Sequence, residues 1–191
     1  SNGPIITPLV ELYEIYRGKA DEITYRKVDL NGKRYEVTQK KADYYLDFAK
    51  KVYAWQKKYL KNADGVYYDL IGADGNEPVY ETVDGVTYRK GLALTSPSGK
   101  SYTYNSGTMV SGGADLYRVT RVAQYLDDTK SLSDAAFRVF ATKDNPTEGY
   151  YGYPVDGFSP WFNDVLMTGY AEASSFVPAA VTALDTFQKN L

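Results

Sequence analysis

The sequence predicts an all-α protein built of helical hairpins, with small β-hairpin insertions. Three observations carry this reading. Apolar residues recur at three- and four-residue spacing through several long stretches, the period of an amphipathic helix. Two parts of the chain repeat one order, helix, helix, then a Gly-aromatic loop: Leu12-Tyr13, Tyr45-Leu46-Asp47 and Gly65-Val66-Tyr67-Tyr68 in the first, Leu116-Tyr117, Tyr125-Leu126-Asp127 and Gly149-Tyr150-Tyr151 in the second. Asn-Gly and Asp-Gly pairs, the residues of tight turns, fall between the periodic stretches. A single helical hairpin cannot bury both its faces, so repeated pairs imply a solenoid or a closed α/α toroid.

The elements follow in order. Residues 4–17 predict a helix, with Leu9, Leu12, Tyr13 and Tyr16 on one face, a proline near its first turn and Gly18 at its end. Ile23, Tyr25 and Val28 precede Asn31-Gly32, and Tyr35 and Val37 follow it, which predicts a hairpin over 19–38. Residues 39–61 give the clearest helix. One stripe is Tyr45, Phe48, Val52, Trp55 and Tyr59; an adjacent one is Leu46, Ala49, Tyr53 and Leu60. Two stripes make a face that meets neighbours on more than one side. The lysines and aspartates on the rest of this helix read as a solvated face, with Asp47 and Lys51 as an i,i+4 pair.

Residues 62–104 are turn-rich, with β-prone runs at 66–70, 79–83 and 86–88. Asp64-Gly65, Asp74-Gly75 and Asp84-Gly85 recur there, but the ladder of carboxylates and the closing Glu of a calcium loop are missing, so turns explain them better. Helices are expected over 106–121, 131–142, 159–175 and 178–190. Gly112-Gly113 inside the first of these costs helix propensity, which a close helix or ligand contact would explain.

Composition narrows the chemistry. The 191 residues include no His and no Cys, which removes imidazole bases, thiolate nucleophiles, disulfides and the usual zinc sites. Acid–base work falls to Asp, Glu, Tyr or Lys. A net charge of -2 gives no general footprint for nucleic acid, and no apolar run approaches a membrane span. No cofactor or metal is expected. Tyr is over-used, at 20 residues against 7 Phe and 2 Trp. A ring with a polar tip suits a surface half packed and half wet, whether a sugar cleft or a helix seam.

Several segments resemble glycoside hydrolase family 76, the endo-α-1,6-mannanase family. They are the run from Tyr45 to Trp55 with Gly65-Val66-Tyr67-Tyr68-Asp69, then Thr103-Tyr104-Asn105-Ser106-Gly107 leading to Ala114-Asp115-Leu116-Tyr117, and, more loosely, Asp156 through Trp161-Phe162-Asn163. The second is similar to the family's Thr-Tyr-Asn-Gln-Gly signature, with Ser106 in place of Gln. Ser1-Asn2-Gly3-Pro4 resembles an internal family segment.

The resemblance implies a partial (α/α)6 barrel, about three of its six hairpins, with residues 1–191 as one incomplete domain. It also implies cleavage of α-1,6-mannan by a retaining mechanism that uses two adjacent aspartates. The one Asp-Asp pair, Asp127-Asp128, aligns in the repeat with an exposed helix start, where the helix dipole explains acidic residues. The catalytic pair is therefore expected outside these residues, and this chain alone is expected to be inactive. For sugar contact the first candidates are Tyr104 and Asn105, with Gly107 allowing close approach. Tyr68, Asp69, Tyr153 and Trp161 are second, and Trp161 is a candidate core plug as well. Asn105 could instead be a helix N-cap. The implied partners are an oligo- or polysaccharide, in particular mannan, and the rest of the barrel; the implied location is secreted, periplasmic or cell-surface. The rival readings are a non-catalytic glycan-binding module and an α/α-barrel glycosidase for another sugar.

Overall fold

The computed structural model describes residues 2–29, 31–71, 80–83, 86–89, 97–141, 152–153 and 157–188. Among them are six α-helices: α1 (Ile6–Tyr16), α2 (Lys41–Tyr59), α3 (Thr103–Thr120), α4 (Ala123–Phe140), α5 (Ser159–Ala173) and α6 (Pro178–Gln188). A short 3-10 turn, Gly3–Ile5, with Pro4 in it, leads into α1. The helices pair as α1 with α2, α3 with α4 and α5 with α6, which is the partial helical barrel of about three hairpins that the family resemblance implies.

Specific contacts fix the layers. Gly3, Ile6 and Glu14 lie against Thr108, Gly112 and Arg118, so α1 and α3 run parallel. Thr103 meets Asn163, and Gly107 and Val110 meet the α5 stretch from Val165 to Gly169, so α3 and α5 run parallel too. Tyr53 and Lys57 meet Tyr125 and Asp128, which makes α2 and α4 a second parallel layer. The connections α2–α3 and α4–α5 consequently emerge at one end of the molecule. The connections α1–α2, α3–α4 and α5–α6 emerge at the other.

Helix α3 is the hub and is buried from Thr103 to Leu116 except at Tyr104 and Thr108. Its glycines explain how it touches so many neighbours. A Cβ on Gly112 would lie 2.8 Å from Ile6 of α1, and one on Gly113 would lie 2.4 Å from Thr129 of α4. The propensity lost at Gly112-Gly113 is the cost of this approach. Around α3 the core gathers Ile6, Val10, Met109, Leu132, Leu166 and Tyr170, all with exposure of 2% or less. Each such side chain contributes about 1.5–3 kcal/mol on burial.

The inserted strands are as local as their turns. Strands β1 (Glu22–Val28) and β2 (Arg34–Lys40) pair antiparallel from Glu22↔Lys40 to Val28↔Arg34. Asp29 Oδ1 accepts the amides of Asn31 and Lys33, and Gly32 takes φ +80° to close the turn. In the α2–α3 connection, β3 (Leu70–Ile71) pairs with β6 (Pro97–Ser98), and β4 (Tyr80–Val83) with β5 (Val86–Arg89). Asp74-Gly75, Asp84-Gly85 and Gly149-Tyr150-Tyr151 lie outside the described residues.

Three expectations change. Helix α4 begins at Ala123, not 131, because Thr129 and Leu132 continue the buried face upstream of Ala135-Ala136. The Asp127-Asp128 pair is thus inside a helix, and the Asp128 side chain is only 13% exposed. Asn105 is not an N-cap: Tyr102 holds that position without a side-chain cap, and Asn105 is in the first turn of α3. Along α2 the stripe through Ala49, Tyr53 and Leu60 is buried, but Phe48 of the other stripe is 41% exposed. It borders an open groove of about 390 Å³ with Pro4, Ile5 and Val52. No described helix is long and apolar enough to cross a membrane.

Candidate functional site

The end where α2–α3 and α4–α5 emerge carries the most specific sequence motif, and each residue of Thr103-Tyr104-Asn105-Ser106-Gly107 has a separate task there. The Thr103 hydroxyl donates to Asn163 Oδ1 at 2.9 Å, a buried bond that ties the first turn of α3 to α5. The Tyr104 hydroxyl donates to Asp69 Oδ1, and Asn105 Nδ2 donates to the same oxygen at 3.2 Å. Ser106 Oγ accepts the Tyr67 amide at 3.3 Å. Gly107 is packed on the α5 backbone, where a Cβ would lie 2.6 Å from the Val165 carbonyl oxygen. The close approach expected of Gly107 is therefore made by α5.

Asp69 reaches this cluster because the chain turns back after α2. Lys61 bridges to Tyr67 around Asp64-Gly65, Asn62 Oδ1 accepts the Val66 amide, and the Asp69 amide donates to the Lys100 carbonyl. Two neutral donors thus hold a half-buried carboxylate at the mouth of the helical layer. The Tyr104 hydroxyl has its pKa pushed up to about 12, first by burial and then by its bond to Asp69. It remains a proton donor at every ordinary pH. Asn105 is fully buried, and its Oδ1 has no hydrogen-bond partner among the described residues. A buried acceptor in that condition calls for an ordered water.

Beside the carboxylate stands an aromatic wall. Phe162 lies 4.8 Å from Tyr104, 5.3 Å from Tyr102 and 5.8 Å from Trp161, centroid to centroid. Phe158, 6.4 Å from Phe162, extends it. Trp161 is 67% and Phe158 78% exposed, so Trp161 is a surface residue at the start of α5 and does not plug the core. Of the expected contacts, the structure brings Tyr104, Asn105, Asp69 and, through Phe162, Trp161 together. Tyr68 is half-buried and packs against the core beside Asp69. Tyr153 is buried in the core, and burial raises its hydroxyl pKa. Tyr102, Phe158 and Phe162 were not among the sequence candidates. Their signal was the spacing of Phe158, Trp161 and Phe162, which share one helical face at the entry to α5.

The Asp-Asp pair is elsewhere. Lys57 Nζ donates to both Asp128 oxygens at 2.7 Å, and Gln124 Nε2 donates to Oδ1 at 2.9 Å. Asp128 is also the charge that, after burial, raises the Tyr67 and Tyr125 hydroxyls, and it adds to the rise that burial gives the Tyr53 hydroxyl. This network joins α2 to α4 in the outer layer. Among the described residues no three His, Cys, Asp or Glu side chains come together as metal ligands.

Three packed helical hairpins thus present an aromatic-walled, polar end. The sequence profile of glycosyl hydrolase family 76 matches residues 33–190, and the chain belongs to that family. No curated protein matches it. Among solved structures it is similar to an inactive variant of an α-1,6-mannanase from Salegentibacter sp. HEL1_6, bound to α-1,6-mannotetrose and altered at two adjacent aspartates. The identity is 22% and the TM-score 0.56, covering 92% of this chain and 39% of that one. A family 76 glycoside hydrolase from a bovine Bacteroides thetaiotaomicron strain gives 20% and 0.62, over 97% and 32%. A family 76 mannosidase from Bacteroides thetaiotaomicron VPI-5482 gives 21% and 0.56, over 77% and 36%. These likenesses establish the fold. The chain spans about a third to two fifths of the length of each of these three structures.

Proposed function

We propose that this chain forms one sector of the cleft of a glycoside hydrolase that cleaves α-1,6-linked mannan. The observation that carries the reading is the Asp69–Tyr104–Asn105 cluster beside the ring wall of Tyr102, Phe162 and Trp161, at the end where the inter-hairpin connections emerge. Rings take the apolar faces of a sugar, and the Asp69 carboxylate and Tyr104 hydroxyl take its hydroxyls, with the buried Asn105 amide fixing the carboxylate. Asp69 accepts and Tyr104 positions. Bond cleavage with retention requires a pair of carboxylates roughly 5–5.5 Å apart. Asp127-Asp128 does not supply it, because Asp128 is committed to Lys57. The adjacent aspartates altered in the inactive Salegentibacter enzyme support a pair supplied by another sector of the ring. That sector would be part of a secreted, periplasmic or cell-surface protein.

The test is in two parts. The 191-residue chain incubated with α-1,6-mannan should release no reducing sugar; clear turnover would mean that its own carboxylates suffice. Calorimetric titration with α-1,6-mannotriose should show binding that Tyr104→Ala weakens at least tenfold, and equal affinity in the two proteins would remove the cleft assignment. The commitment of Asp128 to Lys57 also favours a second reading, a glycan-binding module without hydrolysis. Binding with no hydrolysis by the complete gene product would select it.

A further inference from the structure

The opposite end of the molecule carries a second feature that the cleft reading does not use. There the β1–β2 hairpin folds over the first turns of α2 and leaves a groove of about 300 Å³. Tyr44 and Phe48 present nearly parallel rings, 7° apart with centroids at 6.0 Å. Tyr25 of β1 closes the corner, 4.8 Å from Tyr44 and tilted by 58°. Its hydroxyl donates to Gln39 Oε1 at 3.2 Å, and Lys27 Nζ is held 5.5 Å above its ring. Arg26, Lys27 and Lys51 line the groove with Asp47, and Arg26 is paired with Glu36 of β2 at 3.7 Å. Helix α2, 19 residues and about 28 Å long at 1.5 Å per residue, separates it from Asp69.

We propose that this groove is a second glycan site, for a sugar residue that carries one anionic substituent. The proposal rests on the glycan reading above. Ring faces at a corner suit the apolar faces of a pyranose, and the amide of Gln39 and the Asp47 carboxylate suit its hydroxyls. With Arg26 paired to Glu36, Lys27 and Lys51 against Asp47 leave one net positive charge, which suits one phosphate or carboxylate on that sugar. A peptide or nucleic acid charged at every unit would set a charge against Asp47, whereas a single substituent need not. A site so far from the cleft would tether a long polymer and raise the concentration of its neighbouring segments.

Calorimetry on the complete gene product distinguishes the possibilities, with mannose 6-phosphate, mannose, inorganic phosphate and a pentaglutamate peptide as probes. Mannose 6-phosphate should bind at least fivefold more tightly than each of the others. Tyr44→Ala and the exposed Lys51→Glu should each weaken it at least fivefold, and Tyr104→Ala should leave it unchanged. Lys51→Glu keeps the test valid if Tyr44→Ala unfolds. Equal binding of phosphate would reduce the groove to an anion site, and equal binding of pentaglutamate would make it an acidic-peptide surface; either overturns the proposal. So does the absence of binding, or its loss in Tyr104→Ala. Mannotriose binding that Tyr104→Ala abolishes and Lys51→Glu spares reports on the cleft reading alone.

Discussion

Asp69 and Asp128 make an instructive pair. Both are partly buried carboxylates next to tyrosine hydroxyls, and both lie near the ends of helices that the fold requires. Asp69 accepts from the Tyr104 hydroxyl and the Asn105 side-chain amide. Asp128 is clamped by a cation, Lys57, with Gln124 and Tyr53 around it. A carboxylate neutralised by an ammonium group has its charge spent on joining two helices. Asp69 shares one oxygen between the Tyr104 hydroxyl and the Asn105 amide, at the end where the inter-hairpin connections emerge. The difference separates a fastening of the outer layer from a candidate sugar contact, although both aspartates stand in Tyr-rich sequence.

The largest expected effect tests the Asp69 side of this contrast. Asp69→Ala should weaken α-1,6-mannotriose binding at least tenfold, about 1.4 kcal/mol, in calorimetric titration. Asp128→Ala should leave that affinity within a factor of two. If the two substitutions lowered affinity equally, the contrast would be lost.

Stability should sort the other way. Asp128→Ala leaves Lys57 partly covered without its partner, and a cost of about 1–2 kcal/mol is expected, less than for a fully buried pair because Lys57 is half exposed. For a chain of this size that lowers Tm by about 2–8 °C in a calorimetric scan. Asp69→Ala should shift Tm by less than Asp128→Ala. The contrast sharpens further with Tyr104→Phe, which keeps the ring and removes the donor to Asp69. Mannotriose affinity should fall about three- to tenfold, on the order of one net hydrogen bond. An unchanged affinity would assign the contact to the ring alone.

Much of this was legible beforehand, for physical reasons. Helical periodicity is local, so α1, α2, α3, α5 and the β1–β2 hairpin fall within a few residues of their expected positions. The start of α4 was misplaced because its buried positions near Tyr125 and Thr129 are polar-tipped and do not register as an apolar stripe. The Thr103–Gly107 motif was found, but the task of each residue was not. That Gly107 accommodates α5, that Thr103 reaches Asn163 and that Phe162 lies on Tyr104 are contacts across 60 positions of chain. Asp128 looked exposed because its partner, Lys57, is 71 residues away on a helix face that reads as solvated.

The smallest effect is a titration, and it probes how each carboxylate acts on its tyrosine. The Tyr104 hydroxyl is raised to about 12, by burial first and by Asp69 second. Its ordinary value, and that in the unfolded chain, is near 10. The folded state therefore favours the protonated form. The stabilisation linked to that proton is complete below pH 10 and is lost as pH rises through about 12. In an absorbance titration of phenolate, Asp69→Asn should lower the Tyr104 transition without bringing it to 10, because burial remains. Mannotriose binding should accordingly stay level from pH 7 to 9.5, since the donor keeps its proton throughout. Asp128→Asn should lower the transitions of Tyr67 and Tyr125 and leave that of Tyr104 in place, because Asp128's charge acts on the former pair. A common shift of all these tyrosines in either variant would mean that the fold loosens as a whole and that the two carboxylates do not act separately.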